Sequence, residues 1–189
     1  MNTADRITLF TRQDKIVLDT LYECGVARVK QEYVQRKYGS LPNFPAAYSV
    51  MRGLMEQTVP RAEGDESPFW LHGTAEATGI YSVDAPLITL SVPRDECVLF
   101  DSHRWNRVLN LCYIGSDARD EAAFDAELAR LGIAHGSVAF TTPFYPQLKQ
   151  RIIKGWRERL LLPPDDIRYT QAAVWHIDRS WLISVEAPM

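Results

Sequence analysis

Apolar residues in this chain recur at two different periods, and the switching between them lays out a mixed α+β domain. Residues 7–12, Ile-Thr-Leu-Phe-Thr-Arg, read as a strand entering a core. Residues 13–24 then place Ile16, Val17, Leu18, Leu21 and Tyr22 at helical spacing, and Gly25 stands where a left-handed residue closes a helix. A short strand at 26–29 follows. Between 31 and 38 charged residues alternate with aromatics, and residues 39–45 carry the Gly, Ser and Pro chemistry of a turn. The next helix, 46–58, is marked by Tyr48, Met51, Leu54 and Met55 at intervals of three and four, and Pro60 ends it.

Residues 61–67 form a polar loop. Short β-prone runs at 69–72, 87–92 and 97–100 are separated by Gly, Pro and acidic turns. Asp101-Ser102 is an N-cap signal for a helix at 103–113, with Trp105, Val108, Leu109 and Cys112 as its apolar face. Residues 117–131 repeat the helical pattern through Phe124, Leu128 and Leu131 and stop at Gly132. The last long helical segment is 143–161, its regular part delayed by Pro146. A strand pair closes the chain, 169–177 and 181–186, with a connecting turn at 178–180. Without an internal repeat or linker, the pattern predicts one α+β domain over 1–189, mainly an antiparallel sheet with four to five helices.

Composition narrows the class. A chain of 189 residues with 46% hydrophobic and 24% charged side chains can bury a core without metals or disulfides. No apolar run approaches the roughly 18 residues of a membrane span. The start, Met1-Asn-Thr-Ala-Asp-Arg6, lacks the layout of a signal peptide, so a cytoplasmic location without membrane contact is expected. Cys24, Cys97 and Cys112 show no CxxC spacing and read as buried small apolar residues rather than zinc ligands. The net charge of −3 and pI near 5.8 argue against a surface-wide nucleic-acid trap but leave a local basic patch open.

Familiar catalytic fingerprints are absent: there is no GxGxxG, P-loop, HExxH or GxSxG, and the four histidines, His72, His103, His135 and His176, are scattered. Lys149, Arg151, Lys154, Arg157 and Arg159 bracket Trp156, a pattern suited to phosphate and base stacking. However, Leu148, Ile152, Trp156 and Leu160 share one stripe, which favours a core indole and a solvated charged face. Three polar features fall near strand ends. Arg12, after Thr11, can hold a phosphate bidentately or form a surface ion pair. Trp70 offers a stacking platform or a core ring. Gln171 offers two donors and an acceptor, although a glutamine facing water from an edge strand is the commoner case.

Several separated segments, Leu9-Phe-Thr-Arg-Gln13 with Gly25, Tyr48 to Met55, Pro68-Phe-Trp70, Leu87 through Asp101 to Trp105 and Asn110, and Gln171-Ala-Ala-Val-Trp175, resemble a bacterial family catalogued as domain of unknown function 3841. The opening strand, helix and glycine are also similar to the start of NAD-using ADP-ribosyltransferases of the nucleic-acid-modifying toxin type. In those enzymes the first strand binds nicotinamide-ribose, and a strand near the end carries the catalytic glutamate. That similarity implies NAD or a related nucleotide as ligand, without a metal, in a cleft near Thr11, Arg12, Tyr48, Trp70 and Gln171. Arg12 and Gln171 would take the catalytic positions, with Arg12 on a phosphate and Tyr48 against the nicotinamide ring. The acceptor would be a protein or a nucleic acid.

The chain departs from that pattern by presenting Gln171 where the glutamate is expected, and a neutral amide supplies a dipole where a carboxylate supplies charge. Either the chemistry has changed, or the acid comes from elsewhere, Glu186 being the nearest in the tail, or the fold serves binding alone. A non-catalytic protein-interaction module using the Trp70 and Trp105 region is the alternative from a different class.

Overall fold

The structure, a computed structural model, describes residues 5–41, 43–80, 84–162 and 164–188. The first half of the chain forms β1 (Arg6–Arg12), α1 (Lys15–Cys24), β2 (Val26–Arg28), α2 (Gln31–Tyr38), α3 (Phe44–Thr58), β3 (Phe69–His72) and β4 (Leu87–Pro93). The second half forms β5 (Val98–Asp101), α4 (Ser102–Leu109), α5 (Ala118–Arg130), α6 (Gly136–Thr141), α7 (Pro146–Arg159), β6 (Thr170–Val174), β7 (His176–Asp178) and β8 (Leu182–Glu186). Six strands make one sheet in the order β5-β6-β3-β1-β4-β8, every pairing antiparallel. β2 and β7 make a separate two-stranded ladder.

This is the mainly antiparallel α+β fold that the periodicity predicts, with seven α-helices among the described residues where four to five were expected. The additions are α2 and α6. Helix α2 buries only Val34, so its charged surface masks the helical period, and α6 has six residues, too few to display one.

The tail corrects the sequence reading. β6, β7 and β8 do not form a hairpin: β6 sits between β5 and β3, β7 leaves to pair with β2, and β8 lies at the opposite edge on β4. The break falls at Trp175, which is fully buried with its indole N–H donating to the Val59 carbonyl at 3.3 Å. Anchoring that large ring behind the sheet ends β6, and residues 176–178 continue into the second ladder.

Over β5, β6 and β3 both faces of the large sheet are covered. On one, Val98, Phe100 and Ala173 pack with α3, α4, α5 and α7 through Met51, Trp105, Phe124 and Trp156. On the other, Leu9, Leu71, Leu90 and Ala172 pack with Leu18 and Leu21 of α1 and with Trp181. Burial of all five residues of β6 follows from this double cover.

Helix boundaries obey local chemistry. Gly25 closes α1 at φ 77°, its N–H donating to the Leu21 carbonyl. Asp101 caps α4 by accepting from the N–H groups of His103 and Arg104, as its position predicts. That helix stops short of the expected residue 113 because Leu111 adopts φ 55°, and the Cys112 N–H turns back to the Arg107 carbonyl. Leucine in a position that favours glycine gives no sequence warning of the stop. The cysteines also differ from expectation: Cys97 is buried, Cys112 half-buried and Cys24 exposed.

Candidate functional site

Alternation along β1 sends Leu9 and Thr11 to one face of the sheet and Phe10 and Arg12 to the other. Register then builds a row on the second face: Phe10 opposite His72, His72 opposite Gln171, and Gln171 opposite Phe100. Arg12 lies two residues along from Phe10. Strand spacing and rise put its backbone roughly 12 Å from that of Gln171, close enough for the two side chains to approach one ligand.

Gln171 is not the water-facing edge residue that sequence statistics favour. It lies in an interior strand and is only 8% exposed. Its Oε1 is buried without a hydrogen-bond partner among the described residues, and so is the Nε of Arg12. The Arg12 Nη1 donates to the Ala85 carbonyl at 2.7 Å, which fixes the guanidinium while leaving Nε unused. Orphaned buried polar atoms are uncommon because each costs about 1–3 kcal/mol. Here a donor and an acceptor of this kind share one sheet face. Between their strands stands His72, whose imidazole burial pushes below its ordinary value, leaving it neutral at pH 7.

The remaining expected residues are placed differently. Thr11 faces the opposite side of the sheet; its hydroxyl donates to the Trp70 carbonyl at 3.1 Å and accepts from Gln13 Nε2 at 2.8 Å. Tyr48 and Trp70 do meet, the indole N–H donating to the Tyr48 hydroxyl oxygen at 3.1 Å. Trp70 also stacks on Trp105, with centroids 4.8 Å apart, and meets Tyr48 and Phe100 edge-on. Burial raises the Tyr48 phenol well above its usual range, so it stays neutral. Tyr48, Trp70, Phe100 and Trp105 thus form an aromatic wall adjoining the Gln171 row.

Glu186 does not supply the missing acid. It pairs with Leu87 on the outermost strand, and β8 is four strands from β6, roughly 19 Å at about 4.8 Å per strand. Among the described residues no carboxylate bonds to Arg12 or Gln171, and no group of three His, Cys, Asp or Glu side chains converges as a metal site. The basic stretch on α7 is largely neutralised in place. Arg151 bonds to Asp120 and Glu127, Lys154 and Arg159 pair with Glu158, and Trp156 is core.

Sequence reasoning missed two polar groups. Asp65, inside the expected polar loop, is fully buried and accepts from Arg28 Nε at 3.0 Å, the Ala62 N–H at 3.0 Å and His176 Nδ1 at 3.2 Å. Nothing in its local sequence distinguishes it from an ordinary loop aspartate. Arg52 and Gln31, on α3 and α2, form a second group; the four-residue spacing of Val34 and Tyr38 was the available signal for the helix that brings them together.

The fold and this row define a mixed antiparallel domain with a polar pair set into one sheet face. The sequence model of the family described as "Domain of unknown function (DUF3841)" matches residues 8–183, and the chain belongs to that family. No curated protein and no solved structure matches it. No helix among the described residues is long and apolar enough to cross a membrane.

Proposed function

We propose that the chain is an ADP-ribosyltransferase-like domain that binds NAD or a related nucleotide on the sheet face carrying Arg12, His72 and Gln171. The observation that carries this reading is the pair of unpartnered buried atoms, Arg12 Nε and Gln171 Oε1, on the opening strand and on a strand of the tail. These are the two elements whose sequences resemble the cofactor-binding and catalytic strands of that class. Arg12 supplies charge for a phosphate, Gln171 an acceptor for a ribose hydroxyl, and the aromatic wall around Tyr48 and Trp70 an apolar flank for a ring.

Transfer would break the bond between ribose C1′ and nicotinamide nitrogen, its electron pair leaving with the ring. A nucleophile of a protein or nucleic acid then bonds to C1′ and releases its proton to solvent. Gln171 offers a dipole to the cationic ribose in place of a carboxylate, so the proposal is of a binding site first. Thermal-shift titration with NAD, ADP-ribose and nicotinamide, on the wild type and Arg12→Gln, tests it. Binding lost in the variant supports the site, whereas no shift with any of the three at millimolar concentration would remove it. Nicotinamide release measured separately decides catalysis.

The absent carboxylate also favours a second reading, a non-catalytic protein-interaction module. Its surface would lie away from Trp70 and Trp105, whose rings are engaged in the core cluster.

A further inference from the structure

Helices α2 and α3 flank a partly open pocket of about 120 Å³ that belongs to neither the Arg12–Gln171 row nor the sheet. Tyr38, Phe44 and Tyr48 line it, with centroids 4.9 to 6.1 Å apart, and Gln31, Ser49 and Arg52 supply its polar wall. Arg52 is the telling residue. Its Nη1 donates to the Gln31 Oε1 at 3.1 Å, but its Nε is buried without a partner, and no carboxylate pairs with it among the described residues. The Gln31 oxygen is meanwhile shared with the Ser67 hydroxyl at 3.1 Å, so the side-chain acceptor bonded to this cation is neutral and divided, the Glu66 carboxylate nearby being taken up by the Gln31 N–H and Lys30. A half-buried guanidinium ordinarily has a carboxylate or phosphate to offset its lost hydration.

We propose that this cavity binds a small aromatic anion, an aryl carboxylate, with the carboxylate on Arg52 and the ring among the three aromatics. Charge selects the sign of the ligand. Lys37, 5.4 Å over the Tyr38 ring at the opposite end of α2 from Gln31, adds a second cation beside the aromatic walls, which disfavours a cationic guest there. Size selects one ring. A cavity near ~150 Å³ accommodates a benzene, so the space between these helices suits a single ring. The planar fork of Arg52 suits a carboxylate, its second Nη being left free of Gln31.

The site is separable from the nucleotide reading but shares a reporter with it, because the Tyr48 hydroxyl accepts from the Trp70 indole N–H. Titration of the whole protein with benzoate, followed by calorimetry and by the indole N–H resonances, tests the proposal against cyclohexanecarboxylate, inorganic phosphate and benzyltrimethylammonium. Benzoate is expected to bind, to move the Trp70 indole signal and to exceed all three comparators. Arg52→Gln should weaken it about tenfold or more. Ser49→Trp, at an exposed position on the rim, should block it with Arg52 retained, and far-UV circular dichroism establishes that each variant is folded. Absence of benzoate binding at millimolar concentration would overturn the proposal. So would equal binding of any comparator, or unchanged affinity in the folded variants.

Discussion

Replacing Gln171 by methionine should make the free protein more stable while weakening the proposed nucleotide binding at least tenfold. Methionine keeps an unbranched chain of similar length on β6 and deletes the oxygen that is buried without a partner. An unsatisfied buried acceptor costs about 1–3 kcal/mol, and an apolar group in the same 8% exposed position also gains from burial. Imperfect fit of the thioether against Phe100 and His72 offsets part of this, leaving an expected gain of about 1 kcal/mol. For a chain of this length that corresponds to a rise of about 2–4 °C in Tm. Urea unfolding should show a higher midpoint at an unchanged slope. A loss of about 1 kcal/mol or more would refute the reasoning, since it would mean that the Gln171 amide is satisfied in the free protein and is no reserve for a ligand.

Other consequences bear on the scaffold. Asp65→Ala strands Arg28 and His176 around a vacated buried position, and urea unfolding should register a loss of about 3–5 kcal/mol; a change within experimental scatter would contradict the buried network. Trp105→Ala should cost about 3–5 kcal/mol by the same assay, as a core ring stacked on Trp70, whereas an interface tryptophan would leave stability nearly unchanged. His72 introduces a pH dependence. Its folded pKa is lowered from 6.5 by burial, so below pH 6.5 the unfolded chain binds the proton first, and stability falls as pH drops from 6.5 toward the folded value. Measured from pH 7.5 to 5, the wild type should lose stability and His72→Gln should show a flatter profile; parallel profiles would exclude the effect.

Much of the scaffold could be read from local pattern because local chemistry determines it. The Tyr48, Met51, Leu54, Met55 stripe, the Gly25 stop and the Asp101 cap each act within a few residues, and each is realised. What the sequence did not disclose depends on distant partners. Alternation at 182–186 indicates a strand but not that it pairs with β4 rather than with its neighbour in sequence. The same applies to Gln171: a lone glutamine in a strand carries no sign of burial, which comes from β3 and β5 on either side and the two covered faces. Arg12 and Gln171 were legible as strand-end polar residues, and their shared face follows once the register is known. Thr11 was legible too, but the period of two turns it away from them. The α2–α3 cavity was hidden because its existence requires α2 to be a helix, and a helix that buries one residue leaves almost no hydrophobic trace.

Calorimetric titration of NAD into the wild type, Arg12→Gln and Gln171→Met tests the proposed nucleotide site most directly. Saturable binding to the wild type that is weakened at least tenfold in both folded variants is the predicted result, each having lost one of two charged or polar contacts. Binding that survives both substitutions, or a wild type that takes up no NAD at millimolar concentration, would contradict a nucleotide site on this face.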